Sequence, residues 1–243
     1  MPTSLEYLLK VPLILVACIA AHASYTPPTP PPSEEEISKH AEYKGDAMNY
    51  AQKALIPTIK AGLWIMALFE TVVILAQEYP SSYSQHILTT PSGSGALPSR
   101  VRITGTFLLG WVFIVAGGLT RVTCYRTLGR HFTFHLSVRK DHKLITRGPY
   151  SVVRHPGYSA CAFVLFGEIL IQLGEGSWMR ECGILTTGVG KAFMYAWIAW
   201  HLTGAALLVK RIPTEDAILR KEFGAQWDEW SKRTPYTLIP YIL

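Results

Sequence analysis

Charge is what this 243-residue chain has least of: Asp, Glu, Lys and Arg together make up 16% of it, against roughly a quarter in soluble domains. Apolar residues reach 49%, and mean hydropathy is +0.19. Acid is nearly missing between Arg121 and Arg154, where Asp141 stands alone among eight cations (Arg121, Arg126, Arg130, Arg139, Lys140, Lys143, Arg147 and Arg154). Lys and Arg are in turn absent from residues 81–99. Cysteine is confined to Cys18, Cys124, Cys161 and Cys182, with no CxxC spacing, which excludes a zinc ribbon or a dithiol redox motif. Cys18 and Cys161 fall in apolar runs and read as small buried hydrophobes. No metal site and no internal repeat are expected. The net charge of +6 does not point to nucleic acid, because the cations cluster in connections between apolar runs instead of forming a continuous face.

What is present is a series of apolar runs. A membrane-crossing helix needs about 20 mostly apolar residues, and five segments qualify: 5–23, 54–76, 101–120, 152–173 and 191–209. The first is the weakest, with a continuous apolar core only over 11–21. Between the runs, residues 26–33 (TPPTPPPS) cannot continue a helix, since proline lacks the backbone donor, and 80–98 is a Ser-, Gly-, Thr- and Pro-rich loop. The expected fold is therefore all-α, a polytopic membrane protein of about five transmembrane helices. The expected organisation is an N-terminal unit over 1–120 and a C-terminal unit over 121–243.

The first segment has two readings. Lys10, a short apolar stretch and Ala21-His22-Ala23 resemble a cleavable signal peptide. Kept as a span, it places both basic connections on the cytosolic side and the Lys/Arg-free loop on the other, as the positive-inside tendency requires. Residues 214–231 are expected to form a C-terminal cytosolic amphipathic helix, with Ile218, Leu219, Phe223, Trp227 and Trp230 along one face.

Arg154-His155-Pro156-Gly157-Tyr158 opens the fourth run. Proline in the first turn of a membrane helix frees backbone groups that protein or a polar ligand must satisfy. The bland alternative is that Arg154 and His155 reach for the interface while Tyr158 joins an aromatic belt. Arg211 and Glu215 can share a helical face, unless Pro213 breaks the helix between them. Glu168 and His201 are ionisable residues inside apolar stretches, either functional or bonded to a neighbouring helix.

In order, Leu128-Gly129, residues 142–150 (HKLITRGPY), Arg154-His155-Pro156-Gly157-Tyr158, Arg211, Glu215, Leu219, Phe223-Gly224, Trp227, Trp230, Pro235 and Ile239-Pro240 resemble the C-terminal signature of isoprenylcysteine carboxyl methyltransferases. The resemblance covers about 128–240. It implies methyl transfer from S-adenosylmethionine to the C-terminal carboxylate of a prenylated cysteine, on CaaX-type proteins or prenylcysteine peptides, in the endoplasmic reticulum membrane with the active site facing the cytosol. It further implies that His142, Lys143, Leu144, Ile145, Tyr150, His155, Pro156, Gly157, Tyr158 and Glu215 contact the cofactor. Arg211 is implied to serve the substrate carboxylate, and His135 or Ser137 to add a polar cofactor contact. Arg211 and Glu215 are thus the expected catalytic residues.

An α-carboxyl ionises near pH ~3.5, so such a reaction needs no general base. It needs alignment, and an arginine fork suits a carboxylate. Three other readings remain open. NADPH-dependent membrane sterol reductases resemble the same C-terminal pattern, including the RHP run and the Pro-Tyr residues near the end. A phospholipid N-methyltransferase would use the same cofactor, and a membrane scaffold would bind anionic lipid through the basic loop.

Overall fold

The computed structural model describes residues 4–30, 47–89, 98–134 and 143–242. Among them there are helices and no strands. In chain order these are α1 (Ser4–Ser24), α2 (Ala47–Glu78), α3 (Ser82–Thr89), α4 (Gly105–Leu128), α5 (Pro156–Leu173), α6 (Trp178–Glu181), α7 (Gly188–Phe223) and α8 (Ala225–Arg233). Five helices, α1, α2, α4, α5 and α7, are long and apolar enough to cross a membrane. Apolar side chains on their outer faces, such as Ile19, Leu68, Leu119 and Leu202, are exposed, as lipid-facing positions require.

The boundaries depart from expectation where local chemistry outweighs hydropathy. The fourth span starts at Pro156, not 152, because residues 148–151 make a separate 3-10 turn entered through Gly148 at φ 62°. The third starts at Gly105, where the Thr104 side chain accepts from the Phe107 amide as a cap, and runs on to Leu128. The expected loop over 80–98 carries the short helix α3. Pro213 does not break α7, which continues through it to Phe223; proline removes a single donor, which a membrane helix tolerates. The expected amphipathic helix over 214–231 is consequently split. Its first half extends α7, and only α8 is separate, with Gly224 at φ 51° making the corner. At 36 residues, α7 is about 54 Å long, so its end projects beyond a bilayer core of about 30 Å.

Glycine brings α4 and α5 into close contact. A Cβ on Gly110 would stand 2.8 Å from the Gly167 carbonyl oxygen, and one on Gly117 2.7 Å from that of Ala160. Such contacts replace the hydrophobic drive that is missing between helices in lipid. At one end of the bundle Lys10 of α1 is fully buried. It pairs with Glu70 of α2, donates to Gly176 O at 2.8 Å and lies 4.7 Å over the Phe107 ring. Midway, Glu168 of α5 and His201 of α7 meet at 2.9 Å, and the other ring nitrogen of His201 lies 2.9 Å from Trp197 O. Each of these two residues thus finds its partner on the neighbouring helix. At the opposite end the chain after α1, the end of α4, the start of α5 and the projecting part of α7 converge. The four cysteines are free and buried.

Candidate active site

The convergence encloses a cavity of about 180 Å³. Its polar end is built from the junction ahead of α5 and from α7. Tyr158, in the first turn of α5, donates its hydroxyl to Glu215 of α7. His155 Nε2 lies 2.9 Å from Asp216 Oδ1, and its Nδ1 is 3.9 Å from Glu215. The His155 and Tyr158 rings stack at 5.5 Å with 10° between planes. Two adjacent carboxylates on α7 thus grip the cap position and the first turn of α5. Arg211, one turn before Glu215 on the same helix, is buried and lines the same cavity.

A strap from the chain's last turn holds this junction. Arg154 N donates to Tyr236 O and His155 N to Thr237 O, both at 2.9 Å. The Arg154 guanidinium donates to Pro235 O at 2.7 Å and Thr237 Oγ1 at 2.8 Å, and lies 3.5 Å from Asp216. These bonds satisfy the donors that precede Pro156 and fix the ring of His155. Trp230 of α8 donates to Tyr150 O at 3.0 Å. The Tyr150 phenol lines the cavity, and burial, reinforced by Cys124 and Glu215, holds its pKa well above the ordinary tyrosine value. It is a neutral donor in the wall at any physiological pH.

The remaining wall is mainly apolar: Leu55, Ile56 and Ile59 from α2, Leu165 from α5, and Gly204, Leu208, Ile218 and Leu219 from α7. Arg211 and Glu215 continue the Gly204 and Leu208 face of α7 at helical spacing, so one helix carries the cavity from greasy to charged.

Of the residues expected from the sequence, Leu144, Ile145, Tyr150, His155, Gly157, Tyr158, Arg211 and Glu215 line this one cavity. Pro156 is buried beside it and Lys143 is exposed. His135, Ser137 and His142 lie outside the described residues. Two wall or junction residues were not anticipated. Asp216 does not stand out in the sequence, yet it holds both Arg154 and His155. Arg121 was counted only among the cations of a loop. It lies inside α4, buried, where its guanidinium sits 5.2 to 5.4 Å from the rings of Tyr125, Phe132 and Phe134 and donates to Tyr125 Oη at 3.0 Å. Had the third run been carried to Leu128, Arg121 would have stood out as an intramembrane cation. Among the described residues no group of His, Cys, Asp or Glu is arranged to hold a metal.

Comparison with known proteins bears on this architecture. The profile of the Isoprenylcysteine carboxyl methyltransferase (ICMT) family matches residues 109–175, which include α5 and the junction ahead of it. The chain is similar to that family over this stretch, and so are the relatives below. Protein-S-isoprenylcysteine O-methyltransferase B of Arabidopsis thaliana is 30% identical over 135 residues, 55% of this chain and 58% of the relative. A probable protein-S-isoprenylcysteine O-methyltransferase of Oryza sativa subsp. japonica is 26% identical over 174 residues, 71% of this chain and 81% of the relative. The chain thus spans little more than half of the Arabidopsis relative. A Delta(14)-sterol reductase of Mus musculus is 25% identical over 206 residues, 82% of this chain but 44% of that protein. Family likeness therefore extends to two chemistries, and the site must separate them.

Proposed function

We propose that the chain transfers a methyl group from S-adenosylmethionine to the C-terminal carboxylate of a prenylated cysteine. The observation that carries this reading is the continuity of one cavity from an apolar limb to Arg211 and the Tyr158–Glu215 pair. A substrate with a lipid chain next to a carboxylate needs such a pairing. When bound, S-adenosylmethionine supplies a sulfonium methyl: the oxygen–carbon bond forms as the carbon–sulfur bond breaks, and no proton moves.

The residues present fit that group. Glu215 puts a carboxylate on the cavity where a cofactor's amino group or sulfonium charge needs one, and Tyr150, Leu144 and Ile145 offer a neutral wall. Gly157 lets Arg121 approach the start of α5. Arg211 holds the substrate carboxylate through an oriented fork; alignment of this kind can supply much of a methyl transfer's acceleration. His155 and Arg154 lock the carboxylates of α7 in place, and Glu215 binds without moving a proton. Ser137, His142 and Lys143 join the cofactor contacts on the strength of the resemblance, and Pro156 shapes the turn. The polar end faces the cytosol in this reading, since Arg126, Arg130, Arg147 and Arg154 lie at the end of α4 and ahead of α5. CaaX-type prenylated proteins in the endoplasmic reticulum membrane are the proposed substrates.

The test is incorporation of label from S-[methyl-³H]adenosylmethionine by purified protein in detergent. Acceptors are S-farnesylcysteine, its methyl ester and phosphatidylethanolamine. Label on farnesylcysteine alone is expected. Label on the ester or the amine would refute a carboxylate acceptor. A second reading, NADPH-dependent reduction of a sterol, is favoured by the mouse sterol reductase match over 82% of the chain, and the apolar limb suits a sterol as well. It predicts consumption of NADPH with a Δ14 sterol and no methyl transfer.

A further inference from the structure

Inside the long helices, most glycines are explained by what they touch. A Cβ on Gly62 would stand 2.3 Å from the Trp197 ring, one on Gly118 2.8 Å from Ala20 O, and those on Gly110, Gly117 and Gly167 within 2.6–2.8 Å of a facing carbonyl oxygen. Gly204, in the middle of α7, is buried, yet a Cβ there would meet nothing within 4 Å. Glycine weakens a helix interior relative to alanine, and at Gly204 no neighbouring helix requires that sacrifice. What it borders is the cavity, whose wall also includes Leu55, Ile56, Ile59, Leu165 and Leu208.

Gly204 and Arg211 lie seven residues apart on one helical face, so about 10 Å separates them along the axis. A lipid chain whose carboxylate is held at Arg211 must pass Gly204 once it is longer than that. We propose that Gly204 is a specificity-determining residue, whose missing side chain keeps the apolar limb open at this depth and so admits long isoprenoid chains. This rests on the methyl-transfer reading for its substrate and on the cavity for its geometry. A ten-carbon geranyl chain reaches only a little past the level of Gly204; fifteen-carbon farnesyl and twenty-carbon geranylgeranyl chains extend well beyond it. A leucine would project into open space without displacing a helix, closing the limb below that level.

Gly204→Leu and Gly204→Ala are compared with the unaltered protein on S-geranyl-, S-farnesyl- and S-geranylgeranylcysteine. Gly204→Leu is expected to lower kcat/KM for the two longer chains by at least about tenfold more than for geranyl, the scale on which an apolar pocket discriminates. Gly204→Ala should show the same order with smaller losses, and S-adenosylhomocysteine affinity should hold in both. Equal losses on all three chains, or none, would overturn the proposal. The same chains carrying a terminal diazirine give a readout independent of turnover. Farnesyl and geranylgeranyl probes should label the cavity wall of the unaltered protein beyond Gly204, and lose that labelling in Gly204→Leu. If this pattern holds while the unaltered protein transfers no methyl, the methyl-transfer reading fails and the role of Gly204 stands. If the unaltered protein is not labelled there, the role of Gly204 fails.

Discussion

Replacing Gly157 by alanine should disable the site through a residue that neither adjoins it in sequence nor belongs to the signature. A Cβ at Gly157 would stand 2.5 Å from Arg121 Nη1, and outside its own turn of helix only Arg121 lies within 4 Å of it. Restoring ordinary contact requires the guanidinium to retreat by about 1 Å, a displacement that can cost on the order of 10²-fold in a positioned reaction. Arg121 has little freedom to yield. Its Nε donates to Tyr125 at 3.0 Å, Tyr125 in turn donates to Ser24 O, and three rings surround the charge. Overpacking of this kind destabilises by about 1–3 kcal/mol, and 10²-fold in rate corresponds to about 2.7 kcal/mol. The assay is kcat/KM for methyl transfer together with thermal unfolding in detergent, measured for Gly157→Ala, Arg121→Met and the double variant. The expected result is a loss of about 10²-fold in Gly157→Ala, with its stability cost largely absent when Arg121 is already methionine. A Gly157→Ala protein that turns over normally, or pays the same stability cost in both backgrounds, would show that the contact does not position the site.

Arg211→Ala should lower kcat/KM for S-farnesylcysteine by at least about 10²-fold, as expected when a charge-assisted fork is lost, while isothermal titration finds S-adenosylhomocysteine affinity retained. Lys10→Met leaves Glu70 buried without its partner and should cost about 3–5 kcal/mol of stability, whereas Lys10→Met with Glu70→Met should recover most of it; melting temperatures of the three proteins measure the difference. Trp230→Phe removes the donor to Tyr150 O and should cost about 1 kcal/mol with weakened cofactor affinity, read by thermal shift against cofactor concentration.

The five spans were legible because each presents a run of apolar residues near the length of a bilayer. The ends of those spans were less so, because they are decided by single contacts. Thr104 caps α4 downstream of the hydropathy edge, and Gly148 and Pro156 divide what hydropathy joined. The continuation of α7 through Pro213 could not be read from a pattern that treats proline as a stop. Tyr150, His155, Tyr158, Arg211 and Glu215 could be picked out because ordered motifs carry them, and the fold brings them to one cavity. The partners that fix them could not. Asp216 finds His155 across 61 residues, and the strap over 234–237 reaches Arg154 and His155 mainly through backbone carbonyls, which any side chain leaves available. Lys10 and Glu70, like Glu168 and His201, look from the sequence like isolated charges in apolar runs; only the packing of helices shows each as half of a buried pair.

On the proposed reading the polar end of this cavity binds a sulfonium cofactor and not a nicotinamide. Thermal stabilisation of the purified protein by S-adenosylhomocysteine and by NADPH, side by side in detergent, tests it most directly. A ligand at 100 times its Kd contributes about 2.7 kcal/mol, well within reach of a melting experiment. Stabilisation by S-adenosylhomocysteine with no response to NADPH is predicted; stabilisation by NADPH with none from S-adenosylhomocysteine would contradict the account and turn the cavity over to sterol chemistry.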